Sequence, residues 1–327
     1  MGEAWVAPLI AWHKEHRIAM PWREDQDAYR VWISEIMLQQ TRIEAVIPYY
    51  ERFIKELPHV AALAAVDEDR LLKLWEGLGY YSRARNLKKA AMAVMEQHGG
   101  TLPADADLLR QLPGIGDYTA GAIASIAYGL PEPAVDGNVL RVLSRLYADP
   151  SDILLQKTKK AAITRLRALY PSGEDARLLT EGLMELGETI CIPNGRPRCE
   201  NCPIRSHCAA FAADATEQYP VRMPKKERRI EERTVYLLHH NGQYAIERRG
   251  AGLLAGMWQF PNELGHQQVE GEYLGKAKHV FSHVEWHMVG YRVESERDER
   301  YVWADAQTIR EQYAIPKAFR AFMRSLI

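Results

Sequence analysis

All four cysteines of this 327-residue chain lie in one short stretch, CIPNGRPRCENCPIRSHC, which spans residues 191–208. Clustered cysteines with none elsewhere argue against a disulfide framework, which would spread its bridges over the fold. They argue instead for a metal site in a cytosolic protein, because four unrelated thiols would rarely be so dense. This loop therefore predicts a bound inorganic group.

The spacing C-x7-C-x2-C-x5-C narrows the choice of that group. A zinc ribbon usually brings two close ligand pairs separated by a longer stretch. One tight pair flanked by single cysteines better suits four thiolates around a [4Fe–4S] cube, and zinc is the alternative. Whether such a cluster is redox-active, or only fixes a loop that presents arginines to an anionic partner, is left open. The predicted metal ligands are Cys191, Cys199, Cys202 and Cys208.

Composition excludes few classes of function. With 47% hydrophobic and 26% charged residues the chain is typical of a globular protein, and it has no apolar run of membrane-spanning or signal-peptide type. The net charge of −1 means that the whole molecule is not a basic nucleic-acid binder. Any DNA surface must be a local patch, for which 83–89, with two arginines and two lysines, is a candidate.

The pattern of apolar residues changes near residue 212. Before that point, apolar residues recur every three or four positions and predict helix after helix. The charged, proline-punctuated segment 219–233 predicts a linker, and beyond it Asn241–Gly242 predicts a β-hairpin. HVFSHVEWHMVGYRVE continues as alternating strand, and AFRAFMRSLI predicts a closing helix. The chain is therefore multidomain, with an all-α part followed by a small α+β domain.

A glycine turn opens a helix in LPGIGDYTAGAIASIA. Gly114 and Gly116 let the backbone approach a ligand closely, and a helix N-terminus offers free N–H groups to a phosphate. Taken alone, this pattern also fits an ordinary capped helix start.

Several motifs in order give the chain a family resemblance. Residues 20–210 resemble the helix–hairpin–helix, iron–sulfur DNA glycosylases of the endonuclease III superfamily. Within it, PWRED, SEIMLQQT, GLGYYSRARNL, LPGIGDYTAGA and VDGNVLRV resemble the adenine DNA glycosylases of the MutY family. The resemblance implies a helix–hairpin–helix glycosylase core with a [4Fe–4S] cluster loop, and a C-terminal Nudix (MutT)-like domain. It divides the chain into a six-helix barrel domain at 28–133, an iron–sulfur domain at 1–27 and 134–215, a linker at 216–232 and a recognition domain at 233–327.

The resemblance also selects the type of glycosylase. Bifunctional relatives carry a lysine after the hairpin that forms a Schiff base with the sugar, whereas this chain has Tyr118 there and Leu140 after DGNV. A tyrosine cannot form an imine, so the reaction should stop at an abasic site, although a stray amine would still allow weak nicking. The alternatives are an endonuclease III-like glycosylase/lyase acting on oxidised pyrimidines and a non-catalytic DNA-binding module.

Breaking an N-glycosidic bond requires a carboxylic acid with a raised pKa and a carboxylate that stays ionised. From the helix pattern alone, Glu35 is a solvated residue at a helix margin, and Asp136 is an N-cap. The resemblance instead implies that Glu35 protonates adenine N7 and then activates water. It implies that Asp136 stabilises the oxocarbenium ion or bonds to it, with Tyr118 and Asn138 hydrogen-bonded around this centre.

The remaining site residues also come from the resemblance. Adenine must be flipped out of the duplex, and the adenine pocket would comprise Trp22, Arg23 and Glu181. The residues entering the duplex would be Gln40, Thr41, Leu78 and Tyr80, with Gly114 and Gly116 holding phosphate. Arg17 lies out of register with the arginine of some relatives, so we leave it out of the site.

The C-terminal domain would recognise the lesion and not hydrolyse nucleotides, since it lacks the glutamate-rich Nudix metal motif. HVFSH resembles the loop of the family that recognises 8-oxoguanine, and the residues implied to do so are Phe281, Ser282 and His283. The alternative is that HVFSHVEW is only an alternating strand. The implied partner is double-stranded DNA with an A:8-oxoguanine or A:G mispair. We expect a monomer of base excision repair, cytoplasmic and nucleoid-associated, with no membrane role.

Overall fold

Helices form nearly all of the regular structure before residue 220 in the computed structural model, which describes residues 3–223 and 227–327. No helix in these two ranges is long and apolar enough to cross a membrane. The helices of this part are α1 Val6–His16, α2 Ala28–Leu38, α3 Ile43–Glu56, α4 Val60–Ala65, α5 Glu68–Leu74, α6 Ser82–Gln97, α7 Ala106–Gln111, α8 Asp117–Ala122, α9 Gly137–Leu146, α10 Gln156–Arg167, α11 Glu174–Thr189 and α12 Ala209–Ala212.

The chain divides into two compact units. The first comprises Met1–Ala65 and Asn86–Pro224, and the second Val66–Arg85 and Lys225–Ile327. The predicted linker 216–232 includes residues 224–226, which lie outside the described residues, as do residues 1 and 2 of the predicted segment 1–27. Segment 66–85, which belongs to the predicted range 28–133, groups with the C-terminal residues. The compact units therefore do not coincide with the domains that the family resemblance implies. Those domain bounds stay proposals: 28–133, 134–215 and 233–327.

The core of the first unit is built where α1, α9 and α11 pack together. Leu9, Val139, Leu143, Leu179 and Leu183 are all buried in one apolar cluster. These residues recur at three- and four-residue spacing, so each helix turns one apolar stripe toward the others. This packing fixes α11 against both α1 and α9.

α8 does not run on as the single α-helix that the apolar spacing of DYTAGAIASIAYGL predicts. It ends at Ala122 and continues as a π-helical turn, Ile123–Ala127. Inside this turn the hydroxyl of Ser125 donates to the carbonyl of Gly121 and accepts a hydrogen bond from Thr180 of α11, both at 2.7 Å. Ser and Thr side chains that bond to the backbone in this way locally distort helices.

The C-terminal residues form a mixed sheet. Its order is β3-β2-β1-β6-β5, with β4 on β1 and β7 on β2. Neighbours are antiparallel except β1 and β6, which run parallel with Arg229 opposite Val284 and His239 opposite Glu294. The strands are β1 Arg229–His240, β2 Gln243–Arg248, β3 Trp258–Gln259, β4 Asn262–Leu264, β5 Glu272–Val280, β6 Val284–Glu294 and β7 Val302–Asp305, followed by the helices α13 Ala306–Gln312 and α14 Arg320–Met323.

Two turns of this sheet bear on the sequence predictions. Asn241 and Gly242 have φ of 47° and 78° and join β1 to β2, as the hairpin signal predicts. The alternative that HVFSHVEW is one alternating strand is wrong, and the alternation beyond Val284 does belong to a strand, β6. The chain reverses at 281–283, where the N–H of Phe281 donates to the carbonyl of Val284 at 2.8 Å, and β5 and β6 are antiparallel. Residues 281–283 thus form the turn between β5 and β6, and the carbonyl of His283 accepts a hydrogen bond from the N–H of Arg229 at 3.3 Å.

Candidate active site

A cavity of about 550 Å³ lies in the first unit among α2, α8, α9 and α11. Small-molecule sites commonly measure about 300–1,000 Å³ and combine apolar walls with a few convergent polar groups. This cavity gathers residues from widely separated parts of the sequence. Those among its lining that the sequence analysis singles out are Trp22, Arg23, Glu35, Gln40, Thr41, Tyr118, Asp136, Asn138 and Glu181.

Glu35 is buried at the wall of this cavity, with only 5% of its surface exposed. It lies in α2, whose N-cap Asp27 accepts a hydrogen bond from the N–H of Arg30, and whose residues from Val31 to Met37 are all buried. The solvated position that the helix pattern alone favours is therefore wrong. Burial raises the pKa of Glu35 to about 7, the charge of Asp136 adds to the effect, and the hydrogen bond from Tyr118 opposes it.

Tyr118 of α8 holds the Glu35 carboxyl group. Its hydroxyl donates a hydrogen bond to Oε2 of Glu35, and the Sδ atom of Met184 lies 4.0 Å from the same hydroxyl. Burial and the neighbouring carboxylates raise the pKa of Tyr118 well above its ordinary value. Tyr118 therefore stays protonated at neutral pH and acts as a hydrogen-bond donor to Glu35.

Asp136 caps α9, as the sequence predicts. Its Oδ1 accepts a hydrogen bond from the N–H of Val139 at 2.7 Å, which fixes the carboxylate at the cavity wall. Burial raises the pKa of Asp136, while the N–H groups of Val139 and Asn138 oppose that shift. Asn138 is fixed in turn, because its Oδ1 accepts from Nη2 of Arg141 at 2.8 Å.

A buried network of acids and bases closes the cavity beneath Trp22. Glu181, only 2% exposed, faces Nε2 of His13 at 3.1 Å and Nε of Arg17 at 3.1 Å. Arg23 Nη1 donates to Glu185 at 2.7 Å. Burial alone would raise the pKa of Glu181, but the hydrogen bond from His13 and the charges of Arg23 and Arg17 together lower it. Glu181 is therefore ionised and aligns the guanidinium groups around the pocket.

Sequence reasoning missed three members of this network. His13 and Glu185 were not singled out, and Arg17 was set aside for its register, yet its Nη2 donates to Oε1 of Glu181 at 3.2 Å. A signal for His13 exists in the sequence. It follows Leu9 by four residues, so a helix that buries Leu9 turns His13 toward the same face. Lys159 of α10 also lines the cavity and was not considered.

The predicted duplex-entering residues fall in two places. Gln40, with a φ of 58°, and Thr41 lie at the end of α2 beside the first cavity. Leu78 and Tyr80 line a second cavity of about 480 Å³, which lies in the C-terminal unit. Tyr80 is 48% exposed and has a φ of 49°, a strained value for an aromatic residue.

The predicted lesion-recognition residues line that second cavity as well. Phe281, Ser282 and His283 form the β5–β6 turn, and Phe281 packs edge-on against Trp286 with ring centroids 4.8 Å apart. The hydroxyl oxygens of Tyr80 and Ser282 are hydrogen-bonded at 2.8 Å. Two residues about two hundred positions apart, each implicated by a different motif, are therefore in direct contact.

The hairpin before α8 shows why glycine occupies position 114. Gly114 has a φ of 78°, and a Cβ atom there would lie 2.6 Å from the Cβ of Asn86. Gly116 is the N-cap of α8 with a φ of −97°, and a Cβ there would contact nothing within 4 Å. Position 114 thus requires glycine sterically, and position 116 does not.

The four cysteines line one small cavity of about 30 Å³. Arg145 lies beside them, with Nη1 donating to Sγ of Cys191 at 3.3 Å and to the carbonyl of Ile192 at 3.0 Å. Burial raises the pKa of Cys202 to about 12, and the three neighbouring sulfurs add to this, so the free thiol of Cys202 is neutral. Within the described ranges, no group of three or more His, Cys, Asp or Glu side chains is placed to hold one metal ion.

Comparison with known proteins defines the class first. Residues 33–171 match the HhH-GPD superfamily of base excision DNA repair proteins, and residues 233–325 match the NUDIX domain. A thermostable thymine-DNA glycosylase shares the fold of the helical part, with a TM-score of 0.58 and 28% identity over 64% of this chain and 96% of that structure. An endonuclease III–DNA complex has a TM-score of 0.52 at 24% identity. The chain is a helix–hairpin–helix base excision repair protein with a C-terminal Nudix-like domain.

Relatives that match over most of this chain narrow the class to one family. The adenine DNA glycosylase of Mus musculus is 32% identical over 86% of this chain and 68% of its own length. The Homo sapiens enzyme is 32% identical, with 65% of its length covered. The enzyme of Buchnera aphidicola subsp. Schizaphis graminum is 30% identical over 86% of this chain and 85% of its own length. This chain belongs to the adenine DNA glycosylase family.

Proposed function

We propose that this protein is a monofunctional glycosylase that hydrolyses the N-glycosidic bond of adenine mispaired with 8-oxoguanine or guanine and leaves an abasic site. The observation that carries the proposal is the convergence of Glu35, Tyr118 and Asp136 in one cavity, with a Glu35 pKa of about 7. An acid with that pKa is half protonated at neutral pH and can both give and take a proton.

Glu35 acts as the general acid. In its protonated form it transfers a proton to N7 of the flipped adenine as the C–N bond lengthens, so the base leaves neutral. The carboxylate then accepts a proton from the attacking water. Tyr118 fixes Glu35 through its hydrogen bond and supplies no amine that could cut the strand.

Asp136 stabilises the sugar cation. Its carboxylate is fixed by the N–H of Val139, so its charge is oriented before the reaction begins. It acts on the oxocarbenium ion by charge or by a transient covalent bond, as retaining glycosidases do. Asn138, held by Arg141, hydrogen-bonds beside it.

The base pocket is formed by Trp22, Arg23 and Glu181. Trp22 is buried and packs edge-on against Tyr50 with ring centroids 5.4 Å apart, which makes it a rigid wall for a flat base. Arg23 supplies donors for the adenine ring nitrogens, and Glu181 fixes Arg23 by charge. Gln40, Thr41, Leu78 and Tyr80 enter the duplex and fill the space that the flipped base leaves.

The turn formed by Phe281, Ser282 and His283 recognises 8-oxoguanine. Oxidation converts N7 of guanine from an acceptor to a donor. A serine hydroxyl that accepts a hydrogen bond from N7–H therefore distinguishes 8-oxoguanine from guanine. The exposed Ser282 hydroxyl, already in contact with Tyr80, supports this role. Gly114 and Gly116 would hold a backbone phosphate, which positions the duplex without reading its sequence.

The four cysteines hold a [4Fe–4S] cluster in this proposal. A cube of four irons takes one thiolate on each iron, and four sulfurs lining one cavity beside the guanidinium of Arg145 fit that anionic donor set. A bound cluster would cross-link the loop 191–208, and Arg196, Arg198 and Arg205 of that loop would then be presented to DNA. Four moles of iron per chain, lost in Cys202→Ser, would support the cluster, whereas one mole of zinc would contradict it.

A second candidate is a glycosylase/lyase, and one observation favours it. Lys159 lines the cavity and carries a primary amine. An amine that reached the sugar would form an imine and cut the strand, and borohydride would then trap the protein on DNA. Loss of trapping in Lys159→Ala would assign that activity.

A panel of duplexes tests the substrate. Adenine release is measured opposite 8-oxoguanine, guanine and thymine, and from a duplex with an oxidised pyrimidine, all in single turnover. The proposal expects release from the first two and none from the others. Release of the oxidised pyrimidine, or equal rates opposite guanine and thymine, would contradict it.

A further inference from the structure

The segment that carries Tyr80 is tied to the C-terminal unit by two charged residues just before it. Lys73 lies near the end of α5, and Glu76 follows three residues later, where the helix has ended. Leu78 and Tyr80 come next in the chain. Anything that fixes Glu76 therefore fixes the start of the loop that would enter DNA.

Lys73 caps the C-terminal end of α13. Its Nζ donates to the carbonyl oxygens of Arg310 at 2.6 Å and Tyr313 at 3.2 Å, which belong to the last turn and the C-cap. The last carbonyls of a helix lack partners within the helix, so a lysine there satisfies them and complements the negative end of the helix dipole. Only 17% of the Lys73 side chain is exposed, so these bonds are partly shielded from water.

Glu76 joins the lysine to the following segment. Its Oε2 accepts from Nζ of Lys73 at 2.7 Å, and its Oε1 accepts from the N–H of Ile315 at 3.0 Å. Both carboxylate oxygens of Glu76 therefore accept hydrogen bonds. One contacts residues 310–315 through Lys73, and the other accepts directly from Ile315. Ionic hydrogen bonds of this kind are stronger and shorter than neutral ones.

The far end of the same loop contacts the recognition turn. The Tyr80 hydroxyl meets the Ser282 hydroxyl at 2.8 Å, and Tyr80 keeps a φ of 49° that an unconstrained tyrosine rarely adopts. The loop is therefore held at both ends by one unit. Two outer ion pairs support it, Arg248 with Asp69 at 2.8 Å and Arg85 with Glu68 at 2.9 Å.

We infer that Lys73 and Glu76 are positioning residues that hold Tyr80 in register with Ser282, so that the residue entering the duplex and the residue recognising the lesion act as one rigid element. This inference rests on the proposed function, since it gives the Tyr80–Ser282 pair a role in preferring 8-oxoguanine. Neither Lys73 nor Glu76 touches substrate in this account.

The test measures the preference for 8-oxoguanine, defined as the ratio of single-turnover rates for adenine opposite 8-oxoguanine and opposite guanine. The ratio cancels any loss of active protein, which a purely structural defect would cause. Full-length Lys73→Met and Glu76→Gln are compared with Ser282→Ala and with the double variant Lys73→Met/Ser282→Ala. Lys276→Met and Glu96→Gln, at exposed positions, are the matched controls.

We expect Lys73→Met to lower the preference about tenfold, since it removes ionic hydrogen bonds to three acceptors. Glu76→Gln keeps an acceptor for Ile315 and should lower it less. Because Lys73 acts through Ser282, the double variant should lose little more than Ser282→Ala alone. The controls should match the wild-type protein.

Two results would overturn the inference, and they differ from each other. If the wild-type protein prefers 8-oxoguanine but Lys73→Met keeps that preference, or the two losses simply add, then Lys73 does not act through the Tyr80–Ser282 pair, and the proposed function stands. If the wild-type protein shows no preference, the recognition role of Ser282 fails and the inference fails with it.

Discussion

At the scale of single residues, the burial of Glu35 destabilises the folded protein when its carboxyl group is ionised. A glutamate with 5% exposure and a pKa of about 7 is held in a place where its charged form is disfavoured. The ordinary value is 4.5, so the folded protein binds a proton that the unfolded chain has already released between these two pH values. The free energy of unfolding therefore decreases as pH rises from 4.5 to about 7.

Replacing Glu35 with glutamine should therefore stabilise the protein at high pH only. Above pH of about 7 the gain in the free energy of unfolding should reach roughly 3 kcal/mol, and below about 4.5 it should vanish. Urea unfolding of both proteins across this range measures the difference. A gain that is the same at every pH would show that burial of charge is not its cause.

The excision rate should depend on the same protonation of Glu35. Above a pH of about 7, single-turnover excision should fall about tenfold for each further pH unit, because the acidic form of Glu35 disappears. Rapid-quench measurements at saturating enzyme give this profile. A rate that stays level to a pH of about 9 would remove Glu35 as the general acid.

The sequence alone predicts some features of these site residues and misses others. The contact of Tyr118 with Glu35 joins positions separated by more than eighty residues, and no periodicity within α2 or α8 indicates it. Only the family resemblance brought the pair together, whereas the helix pattern placed Glu35 in solvent. The network around Glu181 was missed because a buried ion pair depends on partners from α1, which local patterns do not specify.

At the scale of elements, local signals worked where the interaction is local. Apolar spacing predicted the succession of helices before residue 212, and Asn241–Gly242 predicted the β1–β2 turn. The parallel pairing of β1 with β6 joins strands more than forty residues apart, and no turn signal exists for it. Alternation continues across the break at 281–283, so only the resemblance of HVFSH to a loop of the family indicated it.

The hairpin before α8 offers a test at this scale. Gly114→Ala should lower the free energy of unfolding by about 2–4 kcal/mol, since it combines an unfavourable φ with a clash against Asn86. Gly116→Ala is the matched control and should cost less than about 1 kcal/mol. Thermal or urea unfolding compares them. Equal losses in the two variants would contradict the steric account of position 114.

At the scale of the whole molecule, the division into compact units does not follow the order of residues in the sequence. Segment 66–85 is flanked on both sides by residues of the helical unit, yet its partners are C-terminal residues. Motif order could not reveal this, because the segment looks like any other amphipathic stretch of the helical part. Hydrogen bonds from α13 and its flanking loop determine where it belongs.

Ending the chain at residue 223 should therefore loosen α5 selectively. Lys73 would lose its acceptors in α13, and Glu76, just after α5, would lose the N–H of Ile315. A helix of seven residues is marginal alone. Amide exchange in 68–74 should become fast, while α9 and α11 keep their protection. Unchanged protection of α5 in the shortened chain would show that its stability comes from elsewhere.

The central claim is that Glu35 drives excision of adenine with no strand cleavage. The most direct measurement is single-turnover reaction of a duplex carrying adenine opposite 8-oxoguanine, analysed before and after alkali, with Glu35→Gln alongside. We predict strand breaks only after alkali for the wild-type protein, and none for Glu35→Gln. Breaks without alkali would establish a lyase amine, with Lys159 the first to replace, and no breaks despite tight binding would leave only a DNA-binding module.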